Sequence, residues 1–237
     1  MFKRVIIVGG GMSIRKAEAE GLWEKIKGKG DIWSLNYAFK AMPYLPDGQL
    51  WVDQSFFSNN QNDMDKLNKQ GVTMMCKDAG VKYQFLKHDI ELYEASRDEK
   101  RQSLEKKQVF TGQSGFCGMF ALSLATLKEY DEIYLLGYDF GTSGLKDTDT
   151  HFYQQDKRFD YVSHGVGNPK VYYQANGSIK TAVRDFEIFS DYNQIFNVGI
   201  DSNISAFPKI TYGAFFAMLE DKDVYKEDTS NGSKSSS

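Results

Sequence analysis

The stretch Arg4-Val-Ile-Ile-Val-Gly-Gly-Gly-Met-Ser13 decides the fold of this chain. Residues 4–8 form a short, mostly apolar run, which is typical of a parallel strand buried on both faces. Three glycines follow directly, and Ser13 is placed to cap a helix over residues 14–27, whose apolar side chains recur on one stripe. A strand, a glycine turn and a helix in this order indicate the start of a Rossmann-like unit.

The rest of the chain alternates in the same way between short apolar runs and helical stretches. Gly, Asp or Asn residues bound the further predicted strands, which span residues 31–36, 50–53, 72–76, 132–137 and 195–198. Helical spacing continues over residues 116–127, 180–192 and 212–219. This alternation predicts an α/β fold with a Rossmann-like, mostly parallel sheet and helices on both faces.

Length and composition predict a single domain followed by a tail. The chain has 237 residues, of which 41% are hydrophobic, and this is enough to bury one core. We expect a nucleotide-binding domain over residues 1–220 and a disordered polar tail over residues 221–237, where Ser, Lys and Asp dominate.

Charge and the apolar runs exclude several classes of protein. The 29 Lys and Arg residues against 32 Asp and Glu leave a net charge of −3, which argues against non-specific binding of nucleic acid. No apolar run is long enough for a signal peptide or a membrane span, so we expect a soluble, cytoplasmic protein. Cys76 and Cys117 lie far apart and outside any CxxC motif, which supports neither zinc nor a disulfide framework.

The glycine turn is the first candidate for ligand binding. Gly9, Gly10, Gly11 and Ser13 place backbone N–H groups and a helix start where a phosphate is bound in related folds. No Gly-Lys-Ser/Thr follows, so the turn is not a P-loop, and the second strand ends at Asn36 without the acidic residue of an NAD site. A tight turn that binds nothing is the structural alternative.

Polar residues follow other predicted strands at the same edge of the sheet. Asn36 and Asp53 end two strands, and Ser114 and Gly115 precede a helix, in positions suited to a ribose, a base or a phosphate. Turn or capping roles are the alternative for each. Because the carboxyl ends of parallel strands share one edge, we predict that Gly10, Asn36, Asp53 and Ser114 line one concave site. Gly112-Gln-Ser-Gly115 is one residue shorter than the Gly-x-Ser-x-Gly motif that carries the nucleophile of serine hydrolases, so we do not predict a serine hydrolase.

A long irregular segment over residues 138–178 holds the candidate catalytic groups. Asp139, His151 and His164 lie in it, where a general base or a metal-binding carboxylate is expected. A single loop histidine is more often exposed or structural than catalytic. We predict that this segment is a lid that orders when the ligand binds, and we assign no metal site.

The sequence resembles two groups of proteins between about residues 4 and 219. Four of its motifs occur in the order found in the bacterial sialyltransferases of the Campylobacter type: Val5-Ile-Ile-Val-Gly-Gly-Gly-Met-Ser13, Ser34-Leu-Asn36, Ser114-Gly115 and Glu132-Ile-Tyr-Leu-Leu-Gly-Tyr-Asp-Phe140. With Phe196-Asn-Val-Gly-Ile-Asp-Ser-Asn203 and Phe207-Pro-Lys-Ile210, it also resembles a phage and bacterial family. That family is related to archaeal hydroxymethyl-dihydropterin diphosphokinases and motility-associated glycosylation factors.

The resemblance implies a transferase that uses a nucleotide-activated sugar. It implies nucleotide contacts at Gly10, Asn36, Asp53, Ser114 and Gly115. Asn168 stands where the sialyltransferases carry their catalytic histidine, so His151 or His164 is the substitute general base.

The sequence therefore predicts a glycosyltransferase with a nucleotide-sugar donor, no certain cofactor and a loop histidine as base. One alternative is a diphosphokinase-like transferase in which Asp139 and Asp53 hold Mg²⁺ against ATP phosphates. The other alternative is a catalytically inactive, nucleotide-binding accessory protein. Departures from the sialyltransferase pattern at Thr111, Gly141 and Asn168 favour it. The acceptor is not indicated, and an oligomer is compatible with the sequence.

Overall fold

The fold is built on one sheet of seven parallel strands. The computed structural model describes residues 2–76, 99, 101–102, 105–106, 116–140, 151–152 and 183–231. In chain order the strands are β1 Arg4–Val8, β2 Asp31–Leu35, β3 Gly48–Trp51, β4 Thr73–Cys76, β5 Glu132–Leu136, β6 Ile195–Val198 and β7 Lys209–Ile210. Their order across the sheet is β4-β3-β2-β1-β5-β6-β7, and every neighbouring pair is parallel. The predicted α/β fold with a mostly parallel sheet is confirmed.

The strand order reverses between β1 and β5. From β1 the chain adds β2, β3 and β4 in one direction, and then returns to place β5 on the other side of β1. At a reversal of this kind, open α/β sheets bind their ligands outside the carboxyl ends of the central strands. The carboxyl ends of β1 and β5 are therefore where this fold is expected to bind a ligand.

Helices cover both faces of the sheet, as predicted. They are α1 Ser13–Ala19, α2 Leu22–Ile26, α3 Ala38–Ala41, α4 Gln54–Lys69, α5 Cys117–Leu127, a 3-10 helix Phe186–Phe189 and α6 Tyr212–Asn231. Side chains alternate along each strand, so Ile6 and Val8 of β1 enter one core and Val5 and Ile7 enter the other. The first core contains side chains of α1 to α4 and α6, and the second contains those of α5 and the 3-10 helix.

The helix predicted over residues 14–27 is two helices. Gly21 adopts φ +81, a left-handed conformation that ends α1 and turns the chain into α2. The prediction that Ser13 caps the helix is also wrong, because Ser13 is the first residue of α1 and Met12 occupies the capping position without a side-chain hydrogen bond.

Three further elements differ from the predicted ones. The two-residue strand β7 was missed because so short a segment carries no periodicity. The described part of the helix predicted over residues 180–192 contains the 3-10 helix Phe186–Phe189. Helix α6 continues past residue 219 to Asn231, into the segment expected to be disordered, and the domain boundary at residue 220 stays a prediction.

Candidate functional site at the switch point

The loops after β1 and β5 are joined backbone to backbone. The amide of Gly9 donates to the carbonyl of Leu136 at 2.7 Å, and the amide of Gly11 donates to the carbonyl of Gly137 at 2.8 Å. A Cβ atom added at Gly9 would lie 2.8 Å from the Gly137 oxygen, and one at Gly11 would lie 2.6 Å from it. Glycine is therefore required at both positions by the close approach of two backbones.

Asp139, which follows β5, binds the start of α1. Its Oδ2 accepts a hydrogen bond from the Ser13 amide at 2.8 Å, and its Oδ1 accepts one from the Ser13 hydroxyl at 2.6 Å. The Tyr212 hydroxyl lies 3.4 Å from the same Ser13 oxygen. Burial raises the pKa of Asp139, and the two bonds from Ser13 oppose that rise. The Asp139 carboxylate, from the loop after β5, thus binds the amino end of α1.

The loop between β6 and β7 holds the backbone around Asp139. The amide of Asn203 donates to the Asp139 carbonyl at 2.8 Å, and its side chain donates to the Phe140 carbonyl, also at 2.8 Å. The Ser202 hydroxyl donates to the Tyr138 carbonyl at 2.6 Å. Phe140 has φ +46, a strained conformation for a bulky residue, and these bonds stabilise it.

His151 lies directly against the glycine turn. A Cβ atom at Gly10 would overlap Cδ2 of the His151 ring, and the next residue, Phe152, donates its amide to the Gly10 carbonyl at 2.9 Å. Burial lowers the pKa of His151 from 6.5 to about 4, so the imidazole is neutral at pH 7. The rest of the predicted lid, residues 141–150 and 153–178 with His164, lies outside the described residues.

Asn36 and Asp53 lie at the carboxyl edge that also carries Gly10. Gly10 follows β1, Asn36 follows the neighbouring strand β2, and Asp53 follows β3 on the far side of β2. Asn36 Oδ1 is buried and has no hydrogen-bond partner among the described residues. The Gln49 side chain donates to the Asn36 carbonyl at 2.9 Å and holds this corner in its left-handed conformation, φ +49. Three of the four residues predicted to line one concave site therefore lie at the same edge of the sheet, and that they form one site stays a prediction.

The start of α5 reaches the same edge. Burial is the main cause that raises the pKa of the Cys117 thiol. The negative charge of Asp53 raises this pKa further, and the backbone of Asn36 lowers it, so Cys117 lies close to both residues. Ser114 and Gly115 lie outside the described residues, two and three positions before Cys117 in the sequence. Their predicted role as ligand contacts stays a prediction.

The two carboxylates assigned to Mg²⁺ in the diphosphokinase alternative are far apart. Asp53 follows β3 and Asp139 follows β5, and these strands are three positions apart in the sheet, which is about 14 Å at normal strand spacing. Both oxygens of Asp139 already accept hydrogen bonds from Ser13. Within the described ranges, no three His, Cys, Asp or Glu side chains lie together as metal ligands. Asp53 and Asp139 therefore cannot share one ion in this arrangement.

Replacing Asp139 with alanine should destabilise the fold by about 3 kcal/mol, because two donors of Ser13 lose a buried, charged acceptor. Asp139→Asn should lose about 1 kcal/mol or less, since one amide group can accept from the Ser13 amide and donate to its hydroxyl. Urea denaturation measures both changes. Asp201→Ala is the control for loss of a surface carboxylate, because Asp201 is exposed and forms a solvent-exposed ion pair with Lys16 at 2.9 Å.

The same comparison has a predicted pH dependence. A raised pKa in the folded chain means that the charge of Asp139 opposes folding, and this cost appears as the pH rises from the ordinary value of 3.8 through the raised value. Asp139→Asn should therefore gain stability relative to the wild type over that rise. A difference that stays constant with pH would contradict the raised pKa of Asp139 in the folded chain.

The fold and the site together define a doubly wound, Rossmann-like α/β protein with its candidate site at the switch point of the sheet. No protein-family model matches the sequence, and no curated protein matches it. The fold is similar to that of the sialyltransferase CstII in complex with a trisaccharide acceptor and CMP, with a TM-score of 0.48 and 14% identity over 88% of this chain and 86% of that one. A second structure, CstII from Campylobacter jejuni with the substrate analogue CMP-3FNeuAc, gives a TM-score of 0.48 and 13% identity over 89% and 86%.

The described residues include no helix with the length and apolar character needed to cross a bilayer.

Proposed function

We propose that this protein is a glycosyltransferase that binds a nucleotide-activated sugar in the switch-point crevice, with His151 as the general base. The observation that carries the proposal is the position of the His151 ring on Gly10, at the carboxyl ends of the two central strands. Crevices of this kind are where open α/β sheets bind their ligands. The candidate base and the candidate phosphate turn are in direct contact.

The chemistry assigned to His151 needs a neutral imidazole. Its low pKa, about 4, keeps a ring nitrogen free of the second proton at neutral pH. In the proposed reaction this nitrogen takes the proton of the acceptor hydroxyl as the oxygen bonds to the anomeric carbon. The bond from that carbon to the donor phosphate oxygen breaks, and the electron pair leaves with the nucleotide phosphate. One displacement of this kind inverts the anomeric configuration.

The phosphate contacts are assigned to two amides of the turn. The amides of Gly9, Gly11 and Ser13 already donate to Leu136, Gly137 and Asp139, so these three residues support the turn. The amides of Gly10 and Met12 donate to no other described group. We therefore assign the developing charge of the leaving phosphate to these two N–H groups.

The nucleoside is assigned to the corner after β2. Asn36 Oδ1 is buried and lacks a donor among the described residues, and such a group costs stability unless a ligand or water supplies the hydrogen bond. A ribose hydroxyl or the amino group of a base carries a suitable donor. Asp53 is exposed and follows β3, the strand next to β2. We assign it to the nucleoside as well.

A thermal-shift series with CMP-, UDP- and GDP-activated sugars tests binding. A donor at about 100 times its dissociation constant should stabilise the protein by about 2.7 kcal/mol, or roughly 5–10 °C in this size range. Gly10→Ala should abolish the shift, because the added Cβ overlaps the His151 ring and forces the turn that carries the Gly10 and Met12 amides to move. Gly213→Ala is the matched control, since Gly213 is exposed on α6 and its added Cβ meets nothing closer than 3.9 Å. An equal shift in Gly10→Ala and the wild type would remove the glycine turn from the donor site.

A second candidate is a nucleotide-binding protein without transferase activity. The engagement of the Gly9, Gly11 and Ser13 amides within the protein favours it, because it leaves few donors for a phosphate. Binding without release of nucleotide, under any acceptor tested, would support this candidate. The diphosphokinase alternative predicts instead a thermal shift with ATP that requires Mg²⁺.

A further inference from the structure

We propose that Arg15 is a positioning residue that fixes Phe152 on the glycine turn and thereby holds His151 in the site. Only the role of His151 as a general base rests on the proposed function. The placement of the ring by Arg15 is a separate claim about contacts between α1 and residues 151–152.

Arg15 contacts two different parts of Phe152. Its Nη2 donates a hydrogen bond to the Phe152 carbonyl, and its guanidinium carbon lies 5.9 Å from the centre of the Phe152 ring. Its Nη1 lies 3.2 Å from Glu18 Oε2, and the other oxygen of Glu18 accepts from Trp23 Nε1 at 3.1 Å. The guanidinium is thus held by one turn of α1 and directed at Phe152.

Phe152 is held at three points. Its amide donates to the Gly10 carbonyl at 2.9 Å, its carbonyl accepts from Arg15, and its ring is fully buried in the core that also contains Ile14. Because the peptide bond before Phe152 is rigid, these contacts also restrict His151. The backbone of the turn and the side chain of Arg15 together place the imidazole on Gly10.

The chemistry of the guanidinium explains why arginine occupies this position. A planar group with several N–H donors can bind a carbonyl, pair with Glu18 and lie over an aromatic ring at the same time, whereas a lysine ammonium cannot. The Nε of Arg15 is buried and has no acceptor among the described residues. The side chain therefore leaves one donor unsatisfied while it keeps the orientation that meets Phe152.

The environment of His151 supplies a readout that needs no activity. Burial lowers its pKa to about 4, and a ring released into water should return towards the ordinary 6.5. Within the described part of the chain, the charged groups on the elements around it are Arg15, Lys16 and Glu18 on α1 and Asp139 after β5. Removing the positive charge of Arg15 would by itself raise the pKa, so a variant that keeps the charge is needed.

The experiment follows the imidazole C–H signals by NMR from about pH 3 to pH 8. The chain has three histidines, and His151→Gln assigns the signal of His151. Arg15→Lys keeps the charge and loses the planar contacts, and Arg15→Met loses both. Lys16→Met is the matched control, because Lys16 is the next residue of α1, is 70% exposed and pairs with Asp201.

We expect a pKa near 4 in the wild type and in Lys16→Met, and a rise of at least one unit towards 6.5 in both Arg15 variants. An unchanged pKa in folded Arg15→Lys would overturn the proposal, and the lysine can still pair with Glu18 three residues further along α1.

Failure of the proposed function would look different. A wild type that turns over no nucleotide sugar, but whose His151 pKa rises in Arg15→Lys, supports the positioning role and removes the transferase. An active wild type whose His151 pKa does not change in Arg15→Lys supports the transferase and removes the positioning role of Arg15. Where both hold, Arg15→Lys should lower kcat by about tenfold or more with little change in donor KM, and its pH profile should shift upward with the pKa of His151.

Discussion

Replacing His151 with glutamine is expected to lower sugar transfer by about 100- to 10,000-fold, the usual contribution of a general base. Glutamine retains a polar side chain but cannot accept the acceptor proton. Donor binding, measured by thermal shift, should change little because the amides assigned to the phosphate belong to Gly10 and Met12. The measurement is release of nucleotide from the donor that binds, at saturating acceptor.

The pH profile of the wild type provides an independent check. Since His151 is protonated only below about pH 4, kcat/KM should fall as the pH decreases through about 4 and stay level between that value and neutrality. His164→Gln tests the other candidate histidine, and His88→Gln is the control outside the segment of residues 138–178. Full activity in His151→Gln with loss in His164→Gln would move the base to His164.

Gly11→Ala should lower the free energy of unfolding by about 3 kcal/mol or more, although it adds only one methyl group. Its Cβ would lie 2.5 Å from Cγ of Asp139 and 2.6 Å from the Gly137 carbonyl oxygen. Neither neighbour can move freely, because Asp139 is bonded to Ser13 and the Gly137 carbonyl accepts from the Gly11 amide. Overpacking against such neighbours typically costs 1–3 kcal/mol, and here the hydrogen bonds break as well.

Urea denaturation measures this change, with Gly213→Ala as the control. Gly213 is exposed in a helix, so alanine there should stabilise the protein by about 0.5–1 kcal/mol. The two glycine variants should therefore move the midpoint in opposite directions. Equal midpoints would mean that the loops after β1 and β5 separate easily and that the contact between Gly11, Gly137 and Asp139 does not constrain the fold.

Particular residues show how far the sequence alone reaches. Residues 4–8 and 195–198 were predicted with the bounds that β1 and β6 have, because each is a short, mostly apolar run, as expected for a buried parallel strand. Gly21 shows the limit, since glycine within a helical pattern costs only about 1 kcal/mol and the periodicity does not reveal its φ of +81. The edge shared by Gly10, Asn36 and Asp53 was predictable because all carboxyl ends of a parallel sheet coincide.

The sequence by itself determined the α/β class, the main strands and the edge at which a ligand is expected, since apolar periodicity and glycine turns are local properties of the chain. Only the tertiary structure decided which groups meet there. Asp139 binds Ser13 across 126 positions, and Arg15 reaches Phe152 across 137. Contacts of this kind follow from the order of strands across the sheet and from the packing of loops against each other. No local pattern encodes them, which is why His151 was one candidate of two in the sequence and lies on Gly10 in the fold.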